Sequence, residues 1–179
     1  MLNKILLPSF IVLFLLKLGA LNFTTFNLFG DEAQYWLWSK NIDSGYFSKP
    51  PFLSWIIRVY TEVLGSSFFS LKLLPSVVYF LIAWSIYNLL LNSGLNKKDS
   101  LAGCLIFLFI PAVSFSSFII STDLFLLLFW TLSLNELIKI NSEHSLKNFI
   151  LLGIFLGLGF LSKYAVIYFV ICLFFYFIC

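Results

Sequence analysis

Charge is what this sequence has least of. Only 11% of its 179 residues are Asp, Glu, Lys or Arg, where an average soluble domain carries about 25%. That scarcity excludes an ordinary soluble fold, and a mean hydropathy of +1.01 makes lipid the solvent for most of the chain. Basic clusters are missing as well. Nothing exceeds the pair Lys97-Lys98, so the net charge of +3 gives nucleic acid no footing and reports loop orientation instead. Cysteine is equally sparse. Cys104, Cys172 and Cys179 stand in apolar runs with no CxxC spacing, and they read as small helix residues rather than ligands. The single histidine, His144, lies beside Glu143 in a short polar stretch and reads as a solvated loop residue rather than a metal ligand.

Long apolar runs are what the chain has in quantity. From Ile5 to Thr25 the only charge is Lys17, which can snorkel or face the interior. Leu73 to Asn96 is 24 residues without a charge, enough for a hydrocarbon core of about 30 Å at about 1.5 Å per residue. Ser100 to Thr122 is another 23, interrupted by Pro111. These runs predict an all-α integral membrane protein, a polytopic bundle of about six transmembrane helices near 5–23, 69–92, 100–113, 119–138, 148–161 and 164–179. The first span is read as uncleaved, because Leu18-Gly19-Ala20-Leu21 is a poor signal-cleavage site. Glu136 reads as a boundary residue snorkelling at the cytoplasmic end of its helix.

Between the first two spans, residues 24–66 form an external loop with two surface helices, near 31–42 and 51–64. Acids open the first, as suits a helix N-terminus. The second begins with Pro-Pro and carries Arg58 and Glu62, too short and too charged to span unaided. Lys4, Lys97, Lys98, Lys139 and Lys147 then fall on one side, cytoplasmic by the positive-inside tendency. Asp31, Glu32, Lys49, Arg58, Asp123 and Lys163 converge on the other. Ionisable groups so close to lipid mark sites of chemistry or transport.

Asp31, Gln34, Tyr35 and Trp38 share one helical face at i, i+3, i+4 and i+7. That face joins a carboxylate, an amide and two aromatics able to stack on a sugar. The bland alternative is an interfacial aromatic belt with incidental acids. Lys49-Pro50-Pro51 is a rigid corner that fixes where the ammonium sits, and a phosphate explains a lysine there. Asp123 and Lys163 are each the lone charge in an apolar stretch. Either they form a structural pair between helices, or Lys163 binds an anion while Asp123 orients a base or a cation.

Three segments resemble one family. Asp31-Glu32-Ala33-Gln34-Tyr35-Trp36 through Gly45-Tyr46-Phe47-Ser48-Lys49-Pro50-Pro51 resembles the first external loop of dolichyl-phosphate-mannose–protein mannosyltransferase-like glycosyltransferases. This is the GT-C class, with the lipid A aminoarabinose transferases and the Rgt-type sugar transferases. Ser121-Thr122-Asp123 is similar to the acidic start of a later helix of that family. Gly157-Leu158-Gly159 through Ser162-Lys163-Tyr164 is similar to its glycine-rich helix ending in Ser-Lys-Tyr.

The resemblance implies transfer of a sugar from a polyprenyl-phosphate donor to a lipid, lipopolysaccharide or protein acceptor. The site would face the periplasm from the bacterial inner membrane. It implies Asp31 as catalytic base, with Glu32 and Asp123 as further acids. Gln34, Tyr35, Trp38, Tyr46, Lys49, Arg58 and Lys163 would bind substrate, the two lysines holding the phosphate. The aminoarabinose enzymes carry Arg at the position of Gln34 and Glu at that of Ser48, so this chain sits nearer the Rgt-like branch. No cofactor is implied and no divalent metal is indicated. Family members are two to three times longer, so residues 1–179 read as an N-terminal portion, the donor half of an enzyme that a second polypeptide completes or a remnant without activity. A lipid-phosphate or ion transporter is the rival class, set back by charges at one boundary and no internal repeat.

Overall fold

The computed structural model describes residues 8, 11–17, 19–20 and 28–178. Every regular element among them is helical. The elements are α1 (Gly30–Trp38), α2 (Phe52–Leu64), α3 (Phe68–Asn92), α4 (Lys97–Phe109), α5 (Pro111–Ser116), α6 (Thr122–Ser142), α7 (Leu146–Ser162), a 3-10 turn (Tyr164–Val166) and α8 (Ile167–Ile178). The two loop helices and five of the six expected spans have counterparts here. Of the span expected at 5–23, residues 8, 11–17 and 19–20 are described, and all of these are helical.

Local chemistry sets the boundaries. Ser67 caps α3 by accepting from the Ser70 amide, and the Asn96 side chain caps α4 by accepting from the Lys98 and Asp99 amides. The expected span at 100–113 is broken in two. Ile110 takes an extended conformation (φ −57°, ψ 124°) ahead of Pro111, because a proline's ring disfavours the helical region for its predecessor. Among the described residues α3 alone is both long and apolar enough to cross a bilayer unaided. The 21-residue α6 carries Asp123, Glu136 and Lys139, and α7 has 17 residues.

The core joins the loop helices to the long ones. Tyr35 of α1, Leu53 and Ile57 of α2, Leu71, Leu74 and Val78 of α3, and Leu124, Phe125 and Phe129 of α6 form one buried cluster. The helices alternate direction, so the start of α3, the turn before α6 and the end of α7 share one end of the bundle. Lys97, Lys98, Lys139 and Lys147 lie at the other, where Asn92 of α3 bonds Asn135 of α6. Glu136 corrects its reading. It is buried at 4% exposure rather than reaching out to solvent. Its Oε1 pairs with Lys139 at 2.6 Å, while Oε2 has no hydrogen-bond partner among the described residues. Its helix faces inward there, towards α3 and α7, and Lys139 comes to it.

Candidate active site

Two helix ends meet at the site. Asp123 stands in the first turn of α6, and Lys163 follows the last turn of α7. Each charge suits the dipole of its helix end. They pair at 2.5 Å, with side chains 52% and 34% exposed. The α7 turn needs Gly159, since a Cβ there would lie 2.6 Å from Val166 Cγ2. That close approach folds the 3-10 turn back on α7 and fixes where Lys163 leaves the helix.

The Lys49 corner is built by a tight turn. Tyr46 and Lys49 exchange backbone bonds at 3.1 and 3.2 Å, and Ser48 sits between them at φ 67°. The turn is tied to α1 by the Tyr46 side chain. Its ring stacks on Trp38 at 4.9 Å and 10°, and its hydroxyl bonds the carbonyls of Trp38 and Asn41. Phe52, three residues after Lys49, packs its ring edge-on against Phe125 at 5.2 Å and Phe129 at 5.3 Å. Phe52 thereby ties the chain that follows the corner to the first two turns of α6. The half-buried Lys49 ammonium has no hydrogen-bond or ion-pair partner among the described residues.

Asp31 is exposed at the start of α1, and its carboxylate has no hydrogen-bond or ion-pair partner among the described residues. The charges of Asp31 and Asp123 both reach the Tyr35 phenol, which lies near the Thr122 hydroxyl. Burial pushes the Tyr35 phenol above its usual pKa, the Asp31 charge adds to that, and the nearby Thr122 hydroxyl pulls the other way. Tyr35 therefore stays a neutral hydroxyl.

Glu32, the neighbour of Asp31, is turned inward and is 0% exposed. Its Oε1 accepts from Lys72 Nζ at 2.7 Å and the Ile120 amide at 2.7 Å. Its Oε2 accepts from Lys72 Nζ at 2.5 Å and the Phe29 amide at 2.9 Å.

The structure brings some of the expected residues near one another and leaves others apart. Asp31, Tyr35, Asp123 and Lys163 come together at the start of α6, the Lys49 turn is tied to the Trp38 end of α1, and Gln34 is exposed on α1. Arg58 is a correction. It pairs with Glu62 and donates to the Lys40 carbonyl, beyond the opposite end of α1 from Asp31. Eight residues at about 1.5 Å each separate those ends by about 12 Å. The open aromatic face is a second correction. Tyr35 is 4% exposed within the core, and Trp38 is covered by Tyr46 on one face with the Tyr35 edge beside it. Burying two large rings against α2 and α6 outweighs leaving them free for a sugar. Lys72 and Thr122 were missed. Lys72 had a signal, as the only charge between Phe68 and Asn92. Among the described residues no group of three His, Cys, Asp or Glu is placed to hold a metal ion.

Comparison with known proteins places this geometry in context. The sequence model of dolichyl-phosphate-mannose-protein mannosyltransferase matches residues 48–179, a stretch with Lys49, Asp123 and Lys163 but not Asp31. The chain is 35% identical over 149 residues to a lipid A galacturonosyltransferase, RgtD, of Rhizobium johnstonii, covering 83% of this chain and 31% of that protein. It is 28% identical over 156 residues to a lipopolysaccharide core galacturonosyltransferase, RgtB, of the same organism, covering 84% and 31%. A second core galacturonosyltransferase, RgtA, is 29% identical over 137 residues, covering 75% and 27%. The chain thus spans less than a third of the length of these curated relatives. No solved structure matches it.

Proposed function

This chain belongs to the dolichyl-phosphate-mannose-protein mannosyltransferase family, and on that premise we propose that it is the donor-binding part of a membrane glycosyltransferase. The donor is a sugar linked to a polyprenyl phosphate. The acceptor is a hydroxyl or amine of a lipid, lipopolysaccharide or protein at the periplasmic face of the inner membrane. The protein crosses that membrane several times, α4 and α5 together making one crossing, with the lysine-bearing end in the cytoplasm.

The observation that carries this reading is the state of the charges at one end of the bundle. Asp31 and Lys49 have no partner among the described residues, and the Asp123–Lys163 pair is half open. Asp31 takes the proton of the acceptor as general base. The acceptor atom attacks the anomeric carbon from the face opposite the phosphate, and the carbon–oxygen bond to phosphate breaks. The phosphate leaves with the bonding pair, stabilised by Lys49 and Lys163. Asp123 holds Lys163 in place until the phosphate arrives. Gln34, exposed on α1, supplies a neutral polar contact.

The test is transfer from a polyprenyl-phosphate sugar in membranes that bear the chain. Asp31→Asn is expected to leave insertion intact and abolish transfer, a loss of at least about a hundredfold. Undiminished transfer by that variant sinks the assignment. RgtD, RgtA and RgtB carry galacturonosyltransferase names, so polyprenyl-phosphate galacturonic acid is the first donor to try.

A further inference from the structure

We propose that Glu32 and Lys72 form a positioning clamp that holds the two acid-bearing elements of the site in register, and that Glu32 takes no part in proton transfer. The inference rests on the transfer reaction proposed above and deepens it. Adjacent carboxylates at a membrane boundary look interchangeable in sequence, but here only Asp31 is open. Both Glu32 oxygens already accept two hydrogen bonds each, from Lys72 Nζ and from the Phe29 and Ile120 amides. With no exposed surface, Glu32 has no lone pair free for an acceptor proton.

Those four bonds reach three separate parts of the chain. Phe29 is the residue before α1, Lys72 lies in the first turns of α3, and Ile120 is in the turn before α6. Asp31 follows Phe29 by two residues and Asp123 follows Ile120 by three. One carboxylate thus sets the distance between the two acids, with α3 as its anchor. The anchor is itself enclosed: Lys72 is 4% exposed, with the Phe29 and Phe68 rings 5.4 and 5.7 Å from its ammonium. The same turn is also fastened to α3 by Ser76, one helical turn beyond Lys72, whose hydroxyl donates to the Ser117 carbonyl at 2.9 Å.

Apolar packing alone would not do this. Tyr35 and Leu124 share the core cluster, but contact between apolar surfaces is non-directional and tolerates sliding. Charge-assisted bonds to backbone amides are short and directional. Fixing register is the best-attested use of a buried ion pair, whose net stability often falls below that of an apolar substitute.

The experiment measures geometry and turnover separately, in the full chain in lipid nanodiscs. Cys104, Cys172 and Cys179 are replaced by Ala, and nitroxide labels are placed at the exposed positions 37 on α1 and 115 on α5. The unsubstituted pair should give one narrow distance by pulsed electron resonance. Glu32→Gln should broaden or displace it with helix content retained. Turnover at saturating donor should then fall about a hundredfold, the scale of an ångström of misplacement, with donor KM changed less than about twofold. The double variant Glu32→Gln/Lys72→Met removes both charges and is the milder to fold. It should give the same broadened distance and slow turnover. A narrow distance in either variant overturns the clamp, as does a broadened distance with undiminished turnover. If the unsubstituted chain transfers no sugar, the reaction proposed above fails, and the distance alone decides the clamp.

Discussion

Two lysine–carboxylate pairs close at 2.5 Å near the same end of the molecule, and they differ in almost everything else. In Glu32–Lys72 the side chains are 0% and 5% exposed, and every carboxylate lone pair is in use. In Asp123–Lys163 they are 52% and 34% exposed, and the pair is a single contact between two helix ends. A charge pair shielded from water interacts strongly but is costly to desolvate, so it must be complete to be tolerated. An open pair is weak, screened by salt and easily exchanged for another ion. The first is suited to holding shape and the second to being displaced by a phosphate. Spacing in sequence does not separate them; enclosure does.

The sharpest way to break this contrast is stability. Lys72→Met leaves a buried carboxylate without its counter-charge and is expected to cost about 3–5 kcal/mol. Lys163→Met, at the open pair, is expected to cost below about 1 kcal/mol. Denaturant unfolding of the purified protein followed by helix signal reads both. Equal losses would mean that the two pairs do the same work.

Donor binding should show the reverse order. Lys163→Met removes the charge proposed to hold the phosphate and is expected to weaken polyprenyl-phosphate binding about tenfold or more. The same binding in the unsubstituted protein should weaken as salt is raised, because the pair is exposed. Lys72→Met, in the folded fraction, should leave affinity nearly unchanged and act on turnover instead. If Lys163→Met binds donor normally, that pair is a helix fastener and the anion site lies elsewhere.

Much of this architecture was legible from residue order, for physical reasons. Apolar runs and caps located the helices, since a helix in lipid must be apolar and its ends need satisfied amides. Asp123 and Lys163 stood out because each is a lone charge, and pairing is the usual fate of such groups. What remained hidden was enclosure. Asp31 and Glu32 are neighbours of one type, and only the 100° turn between helix positions sends one outward and the other to Lys72. Tyr35 and Trp38 shared a face with Asp31, but that face is the one α2, α6 and the Tyr46 ring cover. Arg58 was drawn to the site by its charge, although Glu62 at i+4 and the Lys40 carbonyl already occupied it.

The smallest effect tests whether Tyr46 belongs with the enclosed groups or the open ones. Its hydroxyl serves the chain itself, bonding the Trp38 and Asn41 carbonyls at 3.0 and 2.9 Å and accepting from the Asp43 amide at 3.2 Å. Its ring lies flat on Trp38. Tyr46→Phe keeps the ring and the backbone bonds to Lys49, and loses only the hydroxyl's contacts. The expected cost is about 1 kcal/mol of stability, with donor affinity changed less than about threefold because the Lys49 corner still stands. Titration of donor into the two proteins decides it. A collapse of affinity in Tyr46→Phe would make the hydroxyl a direct ligand contact, and would move Tyr46 out of the scaffold and into the open half of the comparison.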